Sequence, residues 1–181
     1  MSSNQFDLSN LHERHPGLTK ALAEAYCEAA RVCLDRHHVS PVEVALVRHG
    51  TASTLLSWIA ADERTRRAWA NEIDATEAGA YAAALAAVES TDSLVAVSRA
   101  ETLTGADYYL APKGSSVDDL EAASRLEVSG IDRGTDSQLQ ARLRQKVAQA
   151  QSGRSSLPAI AAVVVFSLCQ VAIADAAPTE A

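Results

Sequence analysis

Hydrophobic positions recur at helical spacing in the first third of the chain. Residues 16–38 place apolar side chains every three or four positions and predict an amphipathic helix. The segment 42–50 is rich in β-branched residues and leaves open a short strand or the start of another helix. Residues 54–71, with Trp58 and Trp69 among charged positions, predict a further helix whose tryptophans serve as packing anchors.

The pattern becomes clearer in the middle of the chain. Asp74 and Glu77 have the spacing of a capping box at the start of an alanine-rich helix, which is predicted over residues 75–88. Short runs rich in Val, Leu, Ile and Tyr follow, separated by Gly, Ser and Asp, and each predicts a strand. These predicted strands fall in residues 92–101, 105–112 and 124–131.

The last part of the chain adds a second helix and a long apolar run. Asp136 or Ser137 caps the helix, and Pro158 opens a final strand or strand pair. The apolar run, residues 157–174, carries no charge, and one or two buried strands are favoured over a membrane span. The order helix, three strands, helix, strand is an α+β pattern, in which an antiparallel meander is followed by a helical crossover.

Length and composition fit one ordinary globular domain. The 181 residues are 48% hydrophobic and 22% charged. The aromatic fraction of 4% and the net charge of −7 disfavour a stacking platform for single strands and a broad basic surface for nucleic acid. The cysteines lack metal-ligand spacing and the polar N-terminus has no signal-peptide pattern, so we expect reduced thiols and a cytoplasmic protein.

Polar residues of the α+β region fall where the predicted elements meet. Glu77 shares a helix face with Tyr81 and heads the face that should pack on the sheet. Asp107 and Glu127 lie on consecutive strands, and Lys146 borders the apolar stripe of the second helix. Two carboxylates beside an ammonium group suit a divalent cation such as Mg²⁺ or Mn²⁺ and the hydrolysis of phosphodiesters.

Each of these residues also has a purely structural interpretation. Glu77 fits a capping box, and Asp107 fits a turn or the start of a strand. Glu127, flanked by Arg125, fits one half of a cross-strand or rim salt bridge, and Lys146 fits a solvated helix face. The functional interpretation is favoured by the convergence of the four residues, which depends on the inferred topology.

The αβββαβ order, with Glu77 on the first helix, Asp107 on the second strand and Glu127-Val128-Ser129 on the third, resembles the PD-(D/E)xK nuclease superfamily. The resemblance covers about residues 72–176. It implies a restriction-endonuclease-like core over residues 72–181, with an N-terminal helical region, residues 1–71, packed on it. It also implies that Asp107 and Glu127 bind Mg²⁺ or Mn²⁺ and that Glu77 assists.

The chain departs from the family motif at one position. Ser129 stands where the family has its lysine, two residues after the glutamate. Some members of the family move the basic residue onto the following helix. Lys146 would take that role here, with Arg142 or Gln149 as helpers.

Two hypotheses on function follow. In the first, the chain is a metal-dependent nuclease that hydrolyses phosphodiester bonds of nucleic acid. In the second, it is a catalytically inactive nuclease-fold module that binds a protein partner through the surface of Trp58 and Trp69, as a subunit or inhibitor in a bacterial defence or toxin system. The net charge of −7 and Ser129 favour the second. No membrane association is predicted, and a homo-oligomer is left open.

Overall fold

One mixed seven-stranded sheet organises the chain, and helices cover both of its faces. The computed structural model describes residues 6–101, 105–115, 123–151 and 155–176. The strands are β1 (Val42–Val47), β2 (Thr51–Leu56), β3 (Leu94–Arg99), β4 (Tyr108–Pro112), β5 (Ser124–Ile131), β6 (Ala159–Val165) and β7 (Gln170–Ala176). The helices are α1 (Leu11–Arg14), α2 (Lys20–Asp35), α3 (Glu63–Ala68), α4 (Glu72–Asp92) and α5 (Asp136–Gln151). Across the sheet the order is β2-β1-β7-β6-β5-β4-β3.

The second half of the sheet has the predicted connections. Strands β3, β4 and β5 form an antiparallel meander, and α5 then crosses over to β6, which pairs parallel with β5. Strand β7 returns antiparallel to β6. The apolar run in residues 157–174 therefore forms two buried strands. Within the described part of the chain, no helix combines the length and the apolar character that crossing a bilayer requires.

The burial of β6 explains its uninterrupted apolar sequence. Helix α4 covers one face of the sheet, where Ile160, Ala162 and Val164 join the main core, and α2 packs on the outer side of α4. Helix α5 covers the other face, where Val163 and Val165 pack against Leu139 of that helix. A strand that is buried on both faces needs apolar side chains at every position rather than at alternate ones.

The N-terminal region departs from its predicted helical character. Helix α2 and the strand alternative for residues 42–50 are confirmed. Residues 54–71, however, contain the end of strand β2 and only the short helix α3. Strands β1 and β2 form a hairpin that extends the sheet, because β1 pairs parallel with β7. The segment before residue 72 is thus mixed helix and strand, while the domain boundary at that residue stays a prediction.

Both helices of the α+β region begin at caps other than the predicted ones. The Asn71 side chain accepts hydrogen bonds from two N–H groups in the first turn of α4, so the predicted capping box of Asp74 and Glu77 is wrong. At the start of α5, Thr135 and Gln138 bond each other's backbone N–H groups with their side chains. This pair forms a capping box one residue before the predicted caps.

Two glycines let α4 pack closely against its neighbours. A Cβ on Gly79 would lie 2.9 Å from the Cα of Ala30 in α2. A Cβ on Gly130 would lie 2.6 Å from the carbonyl oxygen of Thr76, so only glycine allows the end of β5 to approach the first turns of α4. This close approach sets the relation between α4 and β5, which together form the walls of the cleft described below.

Candidate functional site

A cleft with a volume of about 760 Å³ opens between the first turns of α4, the start of β4, the end of β5 and helix α5. Glu77, Asp107, Glu127 and Lys146 all line it. The tertiary structure therefore brings together the four residues that the sequence pattern singled out. Their catalytic roles stay predictions.

Glu127 and Lys146 form a close ion pair on the wall of the cleft. Glu127 is 6% exposed, and the Lys146 Nζ donates a hydrogen bond of 2.6 Å to its Oε1. The Lys146 side chain is 17% exposed, so it does not lie on a solvated helix face. Burial raises the pKa of Glu127, the bond from Lys146 opposes this rise, and the charge of Asp107 adds to it. Further positive charge at this position would be favourable.

Asp107 lies directly before β4 and is held by hydrogen bonds on both carboxylate oxygens. Its Oδ2 accepts from the backbone N–H of Val128 at 2.8 Å, and its Oδ1 accepts from the Tyr81 hydroxyl at 2.9 Å. The Arg99 Nη2 lies 3.7 Å from the same Oδ1. Since Val128 follows Glu127 in β5, the two predicted ligand residues meet at the same end of the β4–β5 pair.

Glu77 occupies an exposed position on α4 and borders the cleft from that side. The expectation that it heads the face packed on the sheet is therefore wrong for Glu77, although Tyr81 one turn later is buried. Nearly every side chain between Gly79 and Glu89 is buried, because α2 covers one side of α4 and the sheet covers the other. A helix enclosed on both sides does not present a single apolar stripe.

Helix α5 supplies the cations on the side of the cleft where β5 carries Ser129. The Arg142 Nη1 donates to the Ser129 Oγ at 3.2 Å, and the Lys146 Nζ also donates to the Gln149 Oε1 at 3.3 Å. Side chains of α5 therefore contact both Ser129 and Glu127 of β5. The role of Lys146 as a displaced basic residue stays a prediction.

Carboxylates outnumber cations along the cleft. Asp132, at the end of β5, is neutralised by Arg36 at 2.9 Å and lies 3.1 Å from the His37 ring. The acidic lining residues are Glu72, Glu77, Asp107, Glu127 and Asp132, and the basic ones are Arg133 and Lys146. The net charge of these lining residues is negative, which disfavours a phosphodiester anion unless a cation is bound first, and Arg36 and Arg99 beside the lining reduce that charge.

The donor set fits a magnesium-like cation. Carboxylate oxygens are the ligands that Mg²⁺ prefers, and proteins commonly bind it through only one or two carboxylates, with water and substrate phosphate completing the shell. Asp107 and Glu127 provide such a pair. In the described residues, no three His, Cys, Asp or Glu side chains form a group suited to a metal ion, so a site built wholly from protein ligands is not seen.

Two residues in contact with the site were not predicted from the sequence. The sequence pattern places Tyr81 on the packing face of α4. Its position four residues after Glu77 also puts the two side chains on one helix face and indicates that Tyr81 can reach the same cleft. Arg99 lies at the end of β3, and the pairing of β3 with β4 brings its side chain to Asp107. No local pattern identifies it.

Comparisons of the chain with protein-family models, curated proteins and solved structures found no match. An interpretation of the site therefore depends on its geometry and chemistry alone.

Proposed function

We propose that the chain hydrolyses phosphodiester bonds of nucleic acid with the help of Mg²⁺ or Mn²⁺, on a restriction-endonuclease-like core. The observation that carries this proposal is the convergence of Glu77, Asp107, Glu127 and Lys146 on one cleft. The antiparallel meander followed by a helical crossover to a parallel strand supports the same fold.

Each residue has a role that its surroundings allow. Asp107 and Glu127 hold the cation, Glu77 assists from α4, and Lys146 stabilises negative charge on the phosphoryl group. A bound divalent cation polarises a phosphoryl oxygen and lowers the pKa of bound water. Hydrolysis joins the water oxygen to phosphorus and breaks one P–O ester bond, and the leaving oxygen takes up a proton.

Metal binding is the first test. Calorimetric titration of the full chain with Mn²⁺ is expected to show binding that weakens tenfold or more in Asp107→Asn and in Glu127→Gln. Glu43→Gln serves as the matched control, because Glu43 is an exposed carboxylate on β1 outside the cleft lining. Absence of binding to the native chain at millimolar Mn²⁺, or equal binding by all three variants, contradicts the proposal.

Cleavage is the second test. Labelled single-stranded and double-stranded DNA and RNA are incubated with the protein and Mn²⁺, with EDTA as the blank. Lys146→Met is expected to lower the rate by about 100-fold, the scale of losing one group that stabilises charge in a transition state. A Lys146→Met rate equal to the native one would remove Lys146 from the mechanism.

A second candidate function, an inactive interaction module, is favoured by Ser129 and by the excess of carboxylates in the cleft. Its predicted docking surface is less favoured, because the indole N–H groups already have partners within the chain. Trp58 donates to Asp35 at 2.7 Å and Trp69 donates to Glu28 at 3.3 Å. Under this alternative, Asp107→Asn and Glu127→Gln leave the function intact, so the two candidates predict opposite results for the same variants.

A further inference from the structure

A network of three tyrosines and one arginine lies directly behind Asp107. Tyr26 of α2, Tyr81 of α4 and Tyr108 of β4 are buried, and their rings pack with centroid distances of 5.2 Å for Tyr26–Tyr81 and 5.8 Å for Tyr81–Tyr108. The Arg99 guanidinium lies over two of these rings, 4.5 Å from the centroid of Tyr81 and 4.7 Å from that of Tyr108. Stacking on both rings limits the orientations that the guanidinium can take.

A bulge in β3 brings Arg99 to this position. The pairing of β3 with β4 shifts between Ala96 and Ser98, after which Arg99 pairs with Tyr108. An extra residue in one strand turns the side chains that follow it, and such bulges are frequent beside active sites. Arg99 consequently lies beside Asp107, the residue that precedes Tyr108.

The direction of the hydrogen bonds in the network is determined by chemistry. Arginine donates and never accepts, so the Tyr81 oxygen must accept the bond of 3.0 Å from the Arg99 Nη2. The single hydroxyl hydrogen of Tyr81 is then left to donate to Asp107 Oδ1, at 2.9 Å. A carboxylate can only accept, so the bond from Arg99 reinforces the orientation in which the Tyr81 hydroxyl donates to Asp107.

Packing alone does not account for the Tyr81 hydroxyl. A phenylalanine would fill the same volume without the cost of removing a hydroxyl group from water. Together with the Val128 N–H on Oδ2, the Tyr81 hydroxyl holds both carboxylate oxygens of Asp107 and leaves each one a further lone pair for a cation. Partners of this kind orient metal ligands and are usually worth 10- to 100-fold in metal affinity.

We propose that Tyr81, oriented by Arg99, is a positioning residue that holds the Asp107 carboxylate ready for a divalent cation. This inference rests on the proposed function, because it assigns Asp107 to the cation.

Tyr81→Phe tests the inference, and Tyr26→Phe is the matched control. Each variant removes one buried hydroxyl from the same network, but only Tyr81 contacts Asp107. The Tyr26 hydroxyl instead lies 2.8 Å from that of Tyr108 and accepts a longer hydrogen bond, 3.3 Å, from the Arg99 Nη1. We expect a similar small fall in melting temperature for both variants, whereas Mn²⁺ affinity measured by calorimetry falls about 10- to 100-fold in Tyr81→Phe and less than about twofold in Tyr26→Phe.

A second readout separates positioning from general loosening of the fold. Saturating Mn²⁺ is expected to restore most of the cleavage rate of Tyr81→Phe, since the metal-loaded site no longer depends on the hydroxyl. Native affinity in Tyr81→Phe, or equal weakening in both variants, overturns the inference while the proposed function stands. If the native chain binds no Mn²⁺, the proposed function fails and the inference fails with it.

Discussion

Two buried glutamates of this protein have almost the same exposure, but their pKa values are shifted in opposite directions. Glu89, near the end of α4, is 5% exposed, and Glu127 in the cleft is 6% exposed. Hydrogen bonds from Arg14 and Lys113 outweigh the effect of burial and lower the pKa of Glu89. Burial dominates at Glu127 and raises its pKa, because Lys146 is opposed by the charge of Asp107.

The difference distinguishes a completed ion cluster from a site that favours a further cation. Arg14 at 2.8 Å, Lys113 at 3.0 Å and the His15 ring at 3.3 Å surround Glu89, and this cluster links α1, α4 and the end of β4. The cleft instead has two neighbouring carboxylates, with the Lys146 ammonium 2.6 Å from Glu127 and the Arg99 guanidinium at a longer 3.7 Å from Asp107. Buried charge alone therefore does not indicate a functional site, but incompletely compensated buried charge in a cleft is a better indicator.

The largest change in the free energy of unfolding is expected from a substitution that breaks the completed cluster around Glu89. Glu89→Gln is expected to lower the free energy of unfolding by about 3 kcal/mol, because the buried carboxylate loses its charge-assisted hydrogen bonds from Arg14 and Lys113. Glu127→Gln should change it by less than about 1 kcal/mol, since loss of the ion pair is offset by removal of a poorly solvated charge. Urea unfolding followed by circular dichroism measures both, and equal losses would contradict the comparison.

The pH dependence of stability tests the same cluster through His15. Burial lowers the pKa of His15 from 6.5 to about 4, although the charge of Glu89 opposes this, and the His15 Nδ1 accepts a hydrogen bond from the Ala96 N–H. Between these pH values the unfolded chain binds more protons than the folded one, so stability is lost as the pH falls from 6.5 towards 4.

The loss is expected to reach up to roughly 3 kcal/mol for this one group. Urea unfolding at several pH values measures it, with His15→Gln as the comparison variant. The pH slope of that variant should be shallower in this window, and an unchanged slope would show that His15 does not cause the loss.

Mn²⁺ should stabilise the protein through the cleft and not through the Glu89 cluster. At a concentration one hundred times Kd, a ligand that binds only the folded state adds about 2.7 kcal/mol to the free energy of unfolding. We expect this gain in the native chain and in Glu89→Gln, and a reduction to about 1.4 kcal/mol or less in Glu127→Gln, because its binding is tenfold or more weaker. An undiminished gain in Glu127→Gln at the same Mn²⁺ concentration would locate the cation elsewhere.

The smallest effect is expected from the most exposed member of the completed cluster. The Lys113 side chain is 50% exposed, and ion pairs of exposed groups are usually worth less than about 1 kcal/mol. Lys113→Met should therefore leave both the unfolding midpoint and the cleavage rate close to native. A loss of several kcal/mol would mean that the cluster depends on all its members equally.

Much of the region after residue 72 could be predicted from the sequence, because its signals are local. The alternation of Leu126 and Val128 with polar neighbours indicates strand β5, and the charge-free stretch after Pro158 indicates buried strands. Short links then favour the observed meander. The capping predictions failed for an equally local reason, since several Asn, Asp, Ser and Thr residues lie close together at the start of each helix and only one of them can be the cap.

The hairpin of β1 and β2 could not be predicted with the same ease. Most side chains of β2 are exposed, and its residues carry no strict alternation of apolar and polar positions. Its place in the sheet depends on β1, which pairs with β7 more than one hundred residues later in the chain. A local pattern does not report a pairing partner so far away in sequence.

The order of residues along the chain by itself determined which carboxylates and which lysine were available and near which helix or strand each would lie, although Asp107 lies directly before β4 and not on it. Only the tertiary structure decided that Glu127 meets Lys146, that Asp107 meets Tyr81 and Arg99, and that Glu89 is fully compensated whereas Glu127 is not. The physical reason is range: helix and strand periodicity act over a few neighbouring residues, whereas charge compensation depends on distances of a few ångströms between residues far apart in sequence.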